Sequence, residues 1–537
     1  MSSFPDLIIE NARVLTQHPG QPHAEAVALR GERIVFVGSN TQARALRGPG
    51  TRSVDAQGCT LLPGFIDSHF HLLWGSRWLD TVPLQPLRRV DDLRAALQAY
   101  AADHPGELWV IGRGMIYGLV ASRQDLDALL PDRPVYLGAY DGHTAWVNTR
   151  ALQLAGILEA GEPAGPNGII VRDAAGLATG ELREHDAMRL VLDCVPPPDA
   201  ARRLARLQLA MQQIVRAGVT SVHNMNGDLQ ELQTYARLEA SAEMLLRVYV
   251  PYQVEPGTTE AMLDEAAEMK HLQGKYARGG AAKFYMDGVW ESGTALRLEP
   301  YDGLPQETGP ELYSLEHFTR MAAACDRLGL QIAVHACGDG AVRRTLDGYQ
   351  AVQQINGRRD SRHRVEHIEV CHPADLPRFR QLGVIASMQP LHAPLSADGG
   401  DLWTERAGRQ RWPFAFAWRA LKQAGATLAL GSDWNVVSFD PILGLAAALT
   451  RRPWAPGDPP QALALDDALA GYTRDAAYTE FMETEKGRLQ PGMLADLVLM
   501  DADLERTPPE ALADLERMES KVKPALTVVG GRIVFEA

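Results

Sequence analysis

Residues 61–71 read Leu61-Leu62-Pro63-Gly64-Phe65-Ile66-Asp67-Ser68-His69-Phe70-His71. An apolar run ends at two histidines spaced two apart. On an extended strand, residues i and i+2 face the same side. His69 and His71 can therefore hold one ion from a single strand end, and the rest of the chain must supply the other ligands.

Outward from this stretch one unit recurs: an amphipathic helix, a glycine, then a short apolar strand. Its junctions are Arg216-Ala217-Gly218-Val219, Arg327-Leu328-Gly329-Leu330, Gln381-Leu382-Gly383-Val384 and Gln423-Ala424-Gly425-Ala426. Glycine adopts the left-handed conformation that ends a helix, which accounts for its place at each junction. Helices alternating with short apolar strands predict a parallel sheet covered on both faces. Eight strands are predicted, at 61–67, 219–224, 245–252, 281–287, 331–336, 363–369, 383–389 and 427–433. Eight such units close into a TIM (β/α)₈ barrel with its site at the C-terminal strand ends. The alternative, an open doubly wound sheet, lacks a Gly-x-Gly-x-x-Gly loop to support it.

Short strands at 6–38, 495–500 and 526–535 give both chain ends the same texture. The expected organisation is a small β-sandwich module from residues 1–60 plus 485–537, and a barrel over 61–484. Residues 75–215 are too many for a simple crossover and predict an inserted α+β subdomain over the barrel mouth. It holds a helix at Asp91–His104, with Leu93, Leu97 and Tyr100 on one side, and strands at 108–112 and 134–140.

The 53 basic against 67 acidic residues give a net charge of −14, which argues against nucleic-acid and anionic-membrane partners. No run approaches the ~20 apolar residues of a membrane span. Five scattered cysteines without Cys-x-x-Cys read as buried reduced thiols. The N-terminal residues lack a basic segment followed by an apolar core, so the cytoplasm is the expected compartment. The expected partner is a small-molecule substrate, and a homodimer is an allowed assembly.

Polar residues at the predicted strand ends carry the chemistry. The first strand delivers His69 and His71, the fourth Lys283, the fifth His335, the sixth His367 and the eighth Asp433. Neutral imidazole and carboxylate suit Zn²⁺ and similar divalent ions. With Lys283 included, the set suffices for two metals. A single histidine after an apolar strand is usually a hydrogen-bonded core or surface residue. Their spread over separate strand ends is what favours a metal site. As an ammonium Lys283 would repel a metal, and on an apolar strand its ordinary role is to snorkel. It becomes a ligand only when neutral or converted by carbon dioxide to a carbamate.

At this point the chain resembles the amidohydrolase superfamily, nearest its third group, the YtcJ-like hydrolases and N-substituted formamide deformylases. The likeness rests on Gly64 through His71, Lys283 with Asp287-Gly288, His335 through Asp339, Arg364-Val365-Glu366-His367, Gly431-Ser432-Asp433 and the C-terminal Lys486 through Leu497. Asp141-Gly142-His143, Trp146, Asn148, Arg172-Asp173 and Gly180-Glu181 match within the insertion. The resemblance implies a distorted (β/α)₈ barrel with a two-ended β-module. It also implies one metal on His69, His71 and Asp433, a second on His335 and His367, and a carboxylated Lys283 between them.

The expected reaction is hydrolysis of a non-peptide, amide-type C–N bond, such as an N-substituted formamide or N-acyl amine, with Asp433 as general base and acid. Aminohydrolases of the superfamily place a glutamate where this chain has Gly338, which disfavours deamination. Ester, lactone or phosphotriester hydrolysis uses the same residues. A non-catalytic scaffold relative would be expected to have lost ligands. Candidate substrate contacts are His143, His223, Trp74 and Trp434, with His223 and His392 following strands two and seven toward the mouth.

Overall fold

The computed structural model describes residues 4–84, 87–159, 165, 168–197, 199–300, 308–397 and 401–537. One sheet contains eight parallel strands in chain order. They are β1 (Phe65–Phe70), β2 (Val219–Asn224), β3 (Arg247–Gln253), β4 (Ala277–Tyr285), β5 (Gln331–Ala336), β6 (Arg364–His367), β7 (Ile385–Met388) and β8 (Thr427–Leu430). The sheet closes through the segment after β8: Asp433 N donates to His69 O at 2.7 Å and His71 N to Trp434 O at 2.9 Å. This is a distorted (β/α)₈ barrel with additional domains.

The helix Ala200–Arg216 shows how the repeating unit forms. Asp199 caps it by accepting from Arg202 N, and Leu207, Ala210, Met211, Ile214 and Val215 recur at helical spacing and are buried. The four junction glycines 218, 329, 383 and 425 all have positive φ, at 83°, 72°, 69° and 87°. Each lets the chain leave a helix and enter the next strand without the steric cost of a Cβ.

The predicted first strand merges two real ones. Thr60–Pro63 pairs with Arg13–Leu15 and with Leu497–Met500 outside the barrel, and β1 begins only at Phe65. A Cβ on Gly64 would lie 2.2 Å from Thr220 Cγ2, so the change of partner occurs where the backbone passes close to β2. Hydropathy is continuous across the break and cannot reveal it. β4 starts four residues before its predicted start at 281, through Gly279 and Gly280, because Val248–Val250 of β3 supply partners for it.

The chain ends build two sheets. One contains Leu7–Glu10, Ala26–Arg30, Arg33–Gly38 and Arg52–Asp55; the other joins Thr60–Pro63 and Arg13–Leu15 to Leu497–Met500 and Pro524–Val529. Leu7, Ile9, Val27, Leu61, Leu497 and Val528 share one apolar core. Arg247 of β3 holds Asp496 at 2.7 Å and ties this layer to the barrel.

Between β1 and β2 a six-stranded sheet runs from Val82–Pro83 to the hairpin Ile169–Arg172 and Ala178–Arg183. Its helix Val90–Asp103 buries Leu93 and Leu97. All five cysteines are unpaired; Cys325, Cys337 and Cys371 are buried, whereas Cys59 is half-buried and Cys194 exposed. Among the described residues no helix is long and apolar enough to cross a membrane.

Candidate metal centre

Registers along the sheet bring the strand ends level. Tyr285 of β4 lies opposite His335 of β5, and Ala336 lies opposite His367 of β6. His69 is the last residue but one of β1, and His71 opens the short helix Leu72–Ser76. Asp433 follows β8 with φ +61°, a left-handed turn that swings its carboxylate over the barrel. Asp67 pins this closure by accepting from His69 N at 3.1 Å and Ser432 N at 2.9 Å.

Three ring orientations are set by acceptors. His69 Nδ1 lies 2.7 Å from Glu366 Oε2, His71 Nδ1 2.6 Å from Asn226 Oδ1, and His335 Nε2 3.1 Å from Gly288 O. Each acceptor makes its nitrogen the N–H and leaves the lone pair on the other ring atom. The bare atoms converge: His69 Nε2 and His71 Nε2 are 3.5 and 3.1 Å from Asp433 Oδ1. The His367 ring centroid lies 4.6 Å from that of His69 and 4.3 Å from that of His335. His69 Nε2 and both His367 nitrogens have no hydrogen-bond partner among the described residues.

Burial holds His69, His335 and His367 well below the usual imidazole pKa, so their rings are neutral. Buried lone pairs facing a carboxylate oxygen repel one another unless a cation lies among them. The donor set therefore fits a divalent cation, and neutral imidazole is the form such an ion requires.

Lys283 is fully buried in the same cavity, of about 170 Å³. Its Nζ lies 3.5 Å from Met225 O and 4.5 Å from the Tyr285 ring centroid, and among the described residues no carboxylate forms an ion pair with it. Burial pushes its pKa down to about 8, which raises the share of free amine at neutral pH.

Gly431 lies against this closure, where a Cβ would sit 2.5 Å from His69 N and 2.7 Å from Asp67 Oδ1. Backbone cannot yield as a flexible side chain can. Gly431→Ala is expected to cost ~1–3 kcal/mol, as overpacking does, and to lower bound metal. A thermal melt and metal analysis check it, and parental values in both would refute the steric argument.

Residues 52–535 match the amidohydrolase family. The chain belongs to that family. It is 32% identical over 523 residues to Protein LONG AFTER FAR-RED 3 of Arabidopsis thaliana, covering 93% of this chain and 87% of that protein. It is 28% identical over 522 residues to N-substituted formamide deformylase of Arthrobacter pascens, covering 94% of each. An uncharacterized metal-dependent hydrolase from Pyrococcus furiosus has the same fold, with a TM-score of 0.72, 23% identity and coverage of 93% of this chain and 99% of that one.

In this amidohydrolase a buried polar chain lies beneath the histidines. Arg364 Nε pairs with Glu366 Oε1 at 2.7 Å, and Arg364 also donates to Ser387 Oγ at 2.9 Å and to Ser68 O. His223 belongs to this chain and not to the mouth, which corrects its reading as a substrate contact. It is fully buried, with Nδ1 3.0 Å from Arg364 Nη1 and Nε2 3.2 Å from Glu480 Oε1. Ser221, two residues earlier on β2, meets Lys486, so that face of the strand looks into the barrel. Asn226, beyond the strand end, faces the site instead.

The insertion closes the other side. His143 Nδ1 lies 2.8 Å from Glu184 Oε2, whose other oxygen accepts from Thr294 Oγ1 at 2.6 Å. Burial opposes the charges, but the pairing outweighs it, raising His143 to about 9 and lowering Glu184 to about 2. Trp74 lines the 170 Å³ cavity, its ring 5.5 Å from that of His71. Trp434 stacks on Phe70 at 5.1 Å and lines an adjoining cavity of about 910 Å³ that also contains His143, His335, His367 and Asp433. His392 joins that cavity, its Nε2 3.8 Å from Asp433 Oδ2. Sequence reading did not single out Asn226, Glu184 or His185, and it quoted Glu366 without a role. Charged residues inside an apolar strand were the available signal for Glu366.

Proposed function

We propose that this amidohydrolase is a metal-dependent hydrolase of a non-peptide, amide-type C–N bond, with an N-substituted formamide or N-acyl amine as substrate. The observation that carries the reading is that the buried, neutral His69 and His367 rings leave nitrogens without hydrogen-bond partners among the described residues, beside the Asp433 carboxylate. Whole-length likeness to an N-substituted formamide deformylase supports the choice of bond. His69, His71 and Asp433 would hold one divalent cation, Zn²⁺ by donor type. His335 and His367 would hold a second, with Lys283 between them as its carbamate. Such ions, when bound, act as Lewis acids and lower the pKa of water toward ~7.

The chain's own residues do the rest. Asp433 is the group placed to accept the proton of the attacking water and return it to the leaving amine nitrogen. His143, oriented by Glu184, presents Nε2–H to the substrate carbonyl oxygen. Trp74 and Trp434 exclude water from the two sides of the mouth.

Metal analysis of the purified protein and a hydrolysis panel of N-formyl and N-acyl amines test this reading. Turnover of an ester, lactone or phosphotriester alone would move the assignment away from C–N bonds; a well-folded, metal-free protein would overturn it. Chelation is expected to lower the melting temperature and Zn²⁺ to restore it. A ligand at ~1,000 times its Kd stabilises the folded state by about 4 kcal/mol. An unchanged melt would argue against a structural cation among these histidines.

A further inference from the structure

On the insertion side of Trp74 lies a second cavity, of about 890 Å³, which shares Trp74 and His185 with the cavity of the metal centre. Its wall is aromatic, with Trp74, Trp78, Trp109 and Tyr136, and Ile111 and Met188 add aliphatic surface. The Trp74 and Trp78 rings meet edge to face at 6.0 Å, and Trp78 stacks on Tyr136 at 6.3 Å. A volume of this size with such a lining suits a ring system or a branched apolar group.

Arg113 also lines this chamber and is only 8% exposed. Its guanidinium carbon lies 5.1 Å from the Trp74 centroid and 5.4 Å from that of Trp78. Nε donates to Asn435 O at 3.3 Å, and among the described residues no carboxylate forms an ion pair with the side chain. Nη2 is buried with no hydrogen-bond partner among the described residues. Two other arginines of the lining are compensated: Arg202 and Arg206 hold Asp80 at 3.2 and 2.5 Å, and Arg202 also holds Glu107. Gly142, which lines the metal cavity, approaches Arg113 so closely that a Cβ there would lie 3.5 Å from Nη2. The guanidinium thus stands where the two cavities adjoin.

A buried cation without an ion-pair partner is costly, and the two tryptophan faces, with Asp141 and Asp433 acting at longer range, offset that cost only in part. An arginine fork matches a carboxylate in two parallel hydrogen bonds. We propose that Arg113 and the aromatic chamber form a subsite for a carboxylate-bearing aromatic part of the substrate. The ring enters between Trp78, Trp109 and Tyr136, and the carboxylate meets Arg113 beside the metal cavity. This rests on the hydrolase reading for the word substrate, but the subsite itself is tested by binding alone.

The experiment titrates the metal-free, full-length protein with 3-phenylpropionate and its neutral isostere 3-phenylpropionamide. Affinity is read from tryptophan fluorescence and calorimetry. Removing the metal first prevents the carboxylate from being held by the ions. The parent is expected to prefer the carboxylate by ~10- to 100-fold, the range of a charge-assisted pair. Arg113→Met should abolish that preference while changing amide affinity by less than ~3-fold. Arg113→Lys, which keeps the charge and loses the fork, should retain part of it and serves if the methionine variant does not fold. Ile111→Trp, which fills the chamber from the position next to Arg113 on the same face of the strand Val110–Met115, should weaken both probes together. Equal affinity of the parent for the two probes would overturn the proposal, as would a carboxylate preference that survives Arg113→Met. Failure of the hydrolysis panel leaves these binding outcomes readable and bears only on the reaction.

Discussion

Asp433→Asn is expected to lower kcat/KM on any hydrolysed amide by ~10²–10⁴, the usual contribution of a positioned general acid–base group, while the protein stays folded. Asparagine keeps the size of the side chain and an oxygen that can face His69 and His71, but it cannot take up the proton. It also tolerates the left-handed backbone at this position, where φ is +61°. Asp433→Ala removes more. It leaves His69 Nε2 and His71 Nε2 without the oxygen now 3.5 and 3.1 Å away, and it places an alanine in a conformation costing ~1–2 kcal/mol. Metal content should therefore fall further in alanine than in asparagine, and activity should fall in both. Steady-state kinetics alongside metal analysis separates proton transfer from ion binding. Near-parental turnover by a fully metal-loaded Asp433→Asn protein would remove Asp433 from proton transfer.

What the sequence disclosed follows from where its signals lie. The helix–glycine–strand junctions at Gly218, Gly329, Gly383 and Gly425 are local, and local periodicity was enough to count the barrel strands. His69, His335 and His367 stand at the ends of apolar runs, so strand direction alone places them together. Partner changes are not local. The continuous apolar stretch across Gly64 conceals a transfer from one sheet to another, because the transfer is set by Leu497–Met500 from the far end of the chain. His223 was misplaced for a similar reason. Alternation fixes which residues of β2 share a face but not which face looks inward. Here the choice was made by Lys486 and Glu480, which wait inside the barrel for Ser221 and His223. The hairpin around 169–183 also escaped sequence reading, since Ile169–Arg172 is partly exposed and two of the three buried positions of Ala178–Arg183 are Ala178 and Gly180, which carry little hydropathy. Glu184, with φ +63° at the turn that follows, could be recognised only once Thr294 and His143 were seen to converge on it.

Glu366→Ala should be the most damaging substitution beneath the site, with a loss of ~3–5 kcal/mol, the range for breaking a buried ion pair from one side. Glu366 is fully buried and serves two neighbours. It compensates Arg364, with Oε1 2.7 Å from Nε and Oε2 3.0 Å from Nη2, and it fixes the His69 ring by accepting from Nδ1 at 2.7 Å. Among the described residues, alanine leaves Arg364 with only neutral partners, Ser68 O and Ser387 Oγ, and the His223 imidazole. It also frees His69 to rotate or change tautomer, and loss of such an outer partner typically weakens metal affinity by ~10–100-fold. Glu366→Gln divides the two roles. Its amide oxygen can still accept from His69, so metal affinity should stay within a few-fold of the parent, while the lost charge should still lower the urea midpoint. Replacing both members, Arg364→Met with Glu366→Leu, should destabilise less than Glu366→Ala alone, because neither member of the pair is left as an unpaired charge. Urea unfolding and metal titration of the four proteins check this order. If Glu366→Ala unfolds at the parental midpoint and binds metal with parental affinity, the Arg364–Glu366–His69 chain neither supports the barrel nor orients the ligand.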